Sequence, residues 1–153
     1  MSSSLSNIFD VSARAMSAQM MRLNTVASNL ANARSTYTNP EDAYRAIKPV
    51  FTTVYADKAA RTGIASVDVE SFVRVERDPL AEYRPDDPKA NAEGYVYVAA
   101  VDTDEEMVEM LDASRNYQNN IEVVTTLKAL MICLLYTSPS PRDLSTSRMP
   151  SSA

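Results

Sequence analysis

The segment "MMRLNTVASNLANA", residues 20–33, combines the apolar spacing of a helix with three asparagines and very little charge. Its apolar residues recur every three or four positions, which is typical of a helix that packs one face against a partner. Asparagine is a mediocre helix former, because its amide competes for nearby backbone groups. The segment therefore predicts a helix that is built to pack against other helices in an assembly.

The same periodicity extends towards the start of the chain, and neither glycine nor proline interrupts residues 1–39. We therefore expect one amphipathic helix over residues 5–32. A stripe of this length calls for a partner surface. Its members are Phe9, Met16, Met20, Leu23, Ala27 and Leu30, with Ile8, Ala15, Arg22 and Val26 beside it.

A second long helix is predicted over residues 102–131. Its first turn is acidic at residues 104–106, which suits the positive end of the helix dipole, and Asp102 or Thr103 is a fair N-cap. Lys128 is the misfit of its apolar seam, and the neighbouring Leu127 can cover it. The seam alternates steps of three and four residues through Met107, Met110, Ser114, Tyr117, Ile121, Val124, Lys128 and Met131.

The residues between the helices favour short strands. Strands are predicted over residues 44–56, 64–76 and 95–101, because β-branched and aromatic residues are frequent there. Prolines, Gly63 and Gly94 mark the loops and turns at residues 33–43, 57–63 and 77–94. We therefore predict an α+β fold. An N-terminal assembly helix (residues 1–32) pairs with a C-terminal one (residues 102–131) as a coiled-coil-like core, and a loop and small β-rich insert (residues 33–101) hang from one end.

The last part of the chain differs in character. Residues 137–153 are mostly Ser, Thr and Pro, so they cannot continue a helix or bury a core. A disordered natural tail is one interpretation. We favour a second interpretation, in which residues 132–153 resemble translated sequencing-adapter or vector sequence joined to a truncated gene. We therefore exclude these residues from functional reasoning.

Composition excludes several function classes. The 153 residues carry a net charge of −5 and no histidine, one cysteine and two glycines. The acidic balance argues against nucleic-acid binding, and the missing histidines and glycine loops leave no metal site, cofactor site or catalytic residue to propose. The chain does not begin with a secretory signal peptide, and its longest apolar run, residues 129–136, is too short to span a bilayer. We expect no enzyme activity, no small-molecule substrate and no direct membrane insertion.

Both terminal segments resemble one known family. "SARAMSAQMMRLNTVASNLANA", residues 12–33, is similar to the N-terminal signature of bacterial flagellar axial proteins of the rod and hook family. "EEMVEMLDASRNYQNNIEVVTTLKALM", residues 105–131, is similar to their C-terminal helix. "YRA" at residues 44–46 and "DDPKANAEGYV" at residues 86–96 resemble the short proximal rod members, not the long hook and distal-rod members. The family closes with a few more residues of apolar helix, where this chain changes to the adapter-like tail.

The resemblance implies a structural role without chemistry. Members of this family are exported unfolded through the flagellar type III apparatus, without signal cleavage. They assemble with copies of themselves and other rod proteins into the tube that crosses the periplasm and transmits torque, and motility requires it. The terminal helices form the inner tube, and the β-rich insert lies further out.

With this resemblance, we expect the terminal helices to carry the assembly contacts. Short amides can bond between subunits, fix the register and line or flank a wet channel. The alternative for the three asparagines of the first helix is solvent exposure, with a helix end at Asn32. The expected interface residues are Met16, Met20, Leu23, Asn24, Ala27, Asn29, Leu30, Asn32, Met107, Met110, Ser114, Tyr117, Gln118, Asn120, Ile121 and Val124.

Two other functions remain open from the residues. A soluble helical adaptor or export chaperone would fold stably as a monomer or dimer. An enzyme that acts on murein would need a catalytic acid in a cleft, and no segment marks one. The acids at residues 102–106 could form an acid/base group or a cation site, but a charged first helical turn explains them.

Overall fold

A computed structural model of the chain describes residues 2–55 and 65–137. Within these residues, two long helices flank five strands in chain order, so the predicted α+β fold is confirmed. The predicted turn at residues 57–63 lies outside the described residues. In chain order the elements are α1 (Ser2–Asn32), β1 (Thr36–Tyr37), β2 (Ile47–Tyr55), β3 (Ala65–Arg74), β4 (Leu80–Tyr83), β5 (Tyr95–Val98) and α2 (Thr103–Thr137).

The two helices pack against each other in antiparallel orientation. Near one end of the pair, Asn29 of α1 bonds to Glu106 in the first turn of α2. Further along, Tyr117 of α2 lines a groove together with Met16 and Met20 of α1. The start of α1 and the end of α2 therefore lie at the same end of the pair.

The buried seam of α2 differs from the predicted one at alternate positions. Met107 is 56% exposed and Ile121 is 43% exposed, so both lie outside the buried seam of the subunit, and their expected role at an interface between subunits stays a prediction. Leu127 takes the place of Lys128, which removes the charged misfit. The predicted seam followed a three-and-four spacing from Met107, whereas the observed one begins one residue earlier and includes the Glu106 carboxylate and the small Ala113. The observed seam is Glu106, Met110, Ala113, Tyr117, Asn120, Val124, Leu127 and Met131.

The buried side of α1 is also rotated away from the predicted stripe. Met20 is 47% exposed and Ala27 is exposed, whereas Val26, expected beside the stripe, is buried. Two of the other buried positions, Ser12 and Asn29, are polar. Hydrophobic periodicity locates the buried side of a helix by its large apolar residues. It could not locate this side, because small and polar residues occupy the buried positions.

The insert consists of two small antiparallel sheets. β1, β5 and β4 form a three-stranded sheet in that order, and β2 pairs with β3 as a hairpin whose register shifts between Val50 and Phe51. β4 was missed in the sequence, because Pro79 and Pro85 flank it and the whole segment was predicted as a loop. Buried alanines and Val96 fill the junction between this insert and the helices.

α2 extends further than predicted. It ends at Thr137, so the prediction of a helix that ends at residue 131 is wrong. Residues 132–136, "ICLLY", contain no helix breaker, and the first proline after them is Pro139. Neither described helix is long and apolar enough to cross a membrane.

Candidate assembly interface

The β2–β3 hairpin covers one side of the helix pair. Arg14 Nη1 of α1 donates a hydrogen bond of 2.9 Å to Asp68 Oδ2 of β3. Lys48 Nζ of β2 donates to Glu109 Oε1 of α2 at 2.8 Å and to the carboxylate of Glu105. The hairpin is thus bonded to both helices on the same side.

The opposite side of α2 carries an uncovered apolar stripe. Met107, Leu111 and Ile121 are 56%, 60% and 43% exposed. At about 100° per residue they lie on one side of the helix, and their mean direction is roughly 180° around from that of Glu105 and Glu109, whose carboxylates bind Lys48. These three side chains therefore point away from the hairpin.

Residues of α1 continue this apolar surface. Met16, Met20 and Asn24 line a shallow groove with Tyr117 of α2. We call the combined surface the open face and define it as Met16, Met20 and Asn24 of α1 with Met107, Leu111, Tyr117 and Ile121 of α2. Arg22 is the only charged residue in α1 between Arg14 and Arg34, and its Nη2 lies 3.7 Å from Glu109 Oε2. The α1 part of the open face is therefore uncharged.

The remaining predicted interface residues fall into three environments. Asn32 is half-buried, and its Nδ2 donates to the Ser28 carbonyl oxygen of the same helix. Ala27 and Gln118 are exposed. The others are half-buried: Leu23, Leu30, Met110, Ser114, Asn120 and Val124.

Asn29 makes its hydrogen bonds within its own subunit. It is 1% exposed, and its Nδ2 donates to the Ile47 carbonyl oxygen at 2.9 Å and to Glu106 Oε1 at 3.1 Å. Its Oδ1 accepts from the Ile47 N–H and from the Tyr44 hydroxyl, both at 2.9 Å. Because an amide has two donors and two acceptor lone pairs, this side chain is saturated within its own subunit. The interface role expected for Asn29 stays a prediction, and we call the set of Asn29, Tyr44, Ile47 and Glu106 the polar clasp.

Glu106 is the buried carboxyl of the polar clasp. It is 2% exposed, and its Oε2 has no hydrogen-bond partner within residues 2–55 and 65–137. Burial raises the pKa of the Glu106 carboxyl, and the hydrogen bond from Asn29 opposes that effect. The sequence presented Glu106 only as part of an acidic first turn. Its spacing to Met110 and Ala113 is the signal that could have placed it in the seam.

The acids of the first turn do not converge on a common site. Glu105 binds Lys48 on the covered side, and this hydrogen bond lowers the pKa of Glu105 and raises the pKa of Lys48. Glu106 instead points into the polar clasp. In the described part of the chain, no group of three or more acidic or cysteine side chains could hold a metal ion. The acids of this turn therefore connect α2 to β2 and to α1, which is a structural role.

Two family models match the ends of the chain. The model described as "Flagella basal body rod protein" matches residues 9–36, within and just after α1. The model described as "Flagellar basal body rod FlgEFG protein C-terminal" matches residues 92–131, from the turn before β5 into α2. The two matches contain the whole open face.

Similar proteins cover most of the chain. Flagellar basal-body rod protein FlgC of Escherichia coli O157:H7 is 42% identical over 128 residues, which are 84% of this chain and 93% of that protein. The protein of the same name from Yersinia enterocolitica is 43% identical over 129 residues, with 84% and 94% covered. The one from Aquifex aeolicus is 34% identical over 124 residues, with 81% and 90% covered.

Proposed function

The chain belongs to the family of flagellar basal-body rod proteins and is a structural subunit of the rod, and from this premise we propose that the open face is the surface through which it assembles. Its neighbours are copies of the same chain and other rod proteins. The observation that carries the proposal is the apolar stripe of α2, which faces away from the hairpin and has no partner within the described part of the subunit.

The energetic argument concerns half-exposed side chains. Full burial of a Leu, Ile or Met side chain stabilises by about 1.5–3 kcal/mol. Met107, Leu111 and Ile121 already bury roughly half of their surface, so a neighbouring helix on the open face would gain about 1 kcal/mol from each. The absence of charge on the α1 part of the face favours an uncharged helical partner, because burying an unpaired charge is costly.

The far end of α2 supports the same proposal. Val123 and Leu130, seven residues apart on one side of α2, are 48% and 55% exposed. A neighbouring subunit on that side would cover them.

We extend the proposal to cellular location from family membership alone. The subunit is exported unfolded by the flagellar type III apparatus without a cleaved signal, and it occupies the part of the rod that crosses the periplasm. There it transmits torque and acts without enzyme activity. The Ser/Thr/Pro-rich segment after α2 has no part in this function, in keeping with its adapter-like sequence.

Photo-crosslinking in assembled basal bodies tests the open face. A photoreactive amino acid replaces Leu111 in a strain that lacks the chromosomal rod subunit, and Leu80 of β4, which is also well exposed, receives the same replacement as a control. We expect the probe at position 111 to form adducts with rod subunits, in higher yield than the probe at position 80. Basal bodies that contain the Leu111 variant but yield adducts only from position 80 would exclude the open face as the assembly surface.

A further inference from the structure

We propose that the polar clasp is the joint that fixes the orientation of the β insert relative to the helix pair, and that ionisation of Glu106 loosens this joint. The proposal goes beyond assembly, because it concerns how the two halves of one subunit are held together. It rests on geometry within the subunit and does not require the open face to be an interface.

One side chain joins three elements. Asn29 lies near the end of α1, Ile47 is the first residue of β2, and Glu106 lies in the first turn of α2. The amide of Asn29 bonds both the N–H and the carbonyl oxygen of Ile47 and also reaches Glu106. Hydrogen bonds are directional, so a saturated amide at this position determines the angle at which β2 leaves the helices.

The other contacts between hairpin and helices are less able to fix an angle. The ion pairs of Arg14 with Asp68 and of Lys48 with Glu109 are partly exposed to solvent, where such pairs contribute little. Ala18 of α1 is buried beside β3, but its methyl group makes non-directional contacts. The polar clasp is therefore a buried and directional connection, and the hydrogen bond of 2.8 Å from the Ala100 N–H to the Tyr44 carbonyl oxygen lies beside it.

The surroundings of Glu106 make this connection sensitive to ionisation. The nearby cation, Lys48, is already bonded to two other carboxylates, and the unpartnered Oε2 would carry buried negative charge without a donor. Because the pKa of Glu106 is raised in the folded state, its protonated form favours the closed clasp, and this contribution is lost as pH rises through the folded pKa. The charged and titratable groups that face it or its partners are Glu105 and Glu109 of α2, Lys48 of β2, Tyr44 before β2, Arg22 of α1 and Arg77 after β3.

Two measurements on the full-length protein test the joint. In a Cys133→Ser background, spin labels at Thr53→Cys in β2 and Asp112→Cys in α2 report the distance between insert and helix pair, and hydrogen exchange reports the Ile47 amide. We expect Asn29→Ala to broaden the distance distribution and to accelerate exchange at Ile47 about tenfold. Asn7→Ala, the same change at an exposed site on the same helix and outside the open face, should leave both unchanged. Tyr44→Phe removes only the hydrogen bond from the Tyr44 hydroxyl to Asn29, so it is a milder variant in case Asn29→Ala unfolds the protein. Its effects on the distance distribution and on exchange at Ile47 should be intermediate.

The ionisation step has its own comparison. Between pH 5 and pH 8 the unsubstituted protein should show a broadening distance distribution and a falling protection factor at Ile47, which is the intrinsic exchange rate at each pH divided by the measured rate. Glu106→Gln keeps an acceptor for Asn29 and cannot ionise, so its distribution should stay narrow at both values. If the distances and the Ile47 exchange stay unchanged in both Asn29→Ala and Tyr44→Phe, the proposal that the polar clasp fixes the orientation of the insert is overturned. Equal pH responses with and without Glu106→Gln would overturn the role of ionisation.

Discussion

Lys48 of β2 is bound to Glu109 of α2 across the covered side of the helix pair, with 2.8 Å between Nζ and Oε1. The same ammonium group bonds Glu105, so one cation connects the hairpin to two successive turns of α2. A hairpin of two strands is marginal by itself, and this attachment supports it.

We predict that Lys48→Met lowers the free energy of unfolding by about 1 kcal/mol or less at pH 7, because the ion pairs are partly exposed. The pKa of Lys48 is raised from 10.5, so its contribution is present below that value and is lost as pH rises through the folded pKa. The pKa of Glu105 is lowered from 4.5, so its contribution is present above that value and is lost as pH falls through the folded pKa. Urea unfolding at pH 7 and pH 3 measures the effect, and a difference that grows at pH 3 would contradict it.

We predict that Val26→Ala costs about 2 kcal/mol of stability, since Val26 is buried in the last third of α1 and the change removes apolar contact and leaves a cavity. Val108→Ala is the matched control, because Val108 is more than half exposed on α2. Thermal unfolding of both variants gives the comparison. Equal losses at the two positions would show that Val26 does not lie in the core of the subunit.

We predict that Leu111→Asp and Ile121→Asp leave the isolated subunit folded but prevent its incorporation into basal bodies. Both side chains are largely exposed in the subunit, so the charge becomes costly only when a neighbour covers the open face. Leu80→Asp is the matched control on the insert. Swimming in soft agar and the subunit content of purified basal bodies are the measurements, and full motility of both open-face variants would refute the interface.

Leu23→Asp should behave differently from those variants. Leu23 is half-buried between the helices, and a carboxylate there adds a desolvation cost within the subunit itself. We expect a loss of stability of roughly 2–4 kcal/mol in addition to the loss of motility. Circular dichroism of the purified subunit distinguishes this case, and a melting temperature equal to that of Leu111→Asp would be inconsistent with the observed packing.

We predict that Gly94→Ala destabilises the insert by about 1–3 kcal/mol. Gly94 has φ of +81°, and a Cβ atom there would lie 2.9 Å from Cε2 of Tyr83. Tyr83→Ala removes the steric part, so the double variant should lose less stability than the sum of the two single changes. Simple additivity in chemical denaturation would show that backbone strain alone determines the cost.

The architecture could be predicted from the sequence because both helices are long, periodic and free of glycine and proline. The rotation of their buried sides could not, because Ser12, Asn29 and Glu106 occupy positions that hydrophobicity assigns to the surface. β4 was missed for a local reason, since Pro79 and Pro85 mask a short strand whose pairing with β5 is non-local. The hydrogen bonds of the Asn29 amide require partners in both β2 and α2, so no pattern within one helix can reveal them.

The antiparallel helix pair has a practical consequence for labelling experiments. Ser2 at the start of α1 and Thr137 at the end of α2 lie at the same end of the pair, remote from the three-stranded sheet. An affinity tag or fluorescent protein placed directly before Ser2 or directly after Thr137 would crowd that one end, so moving a disruptive fusion between these two positions should not restore function. A short epitope in the turn around Pro88 would project from the opposite end.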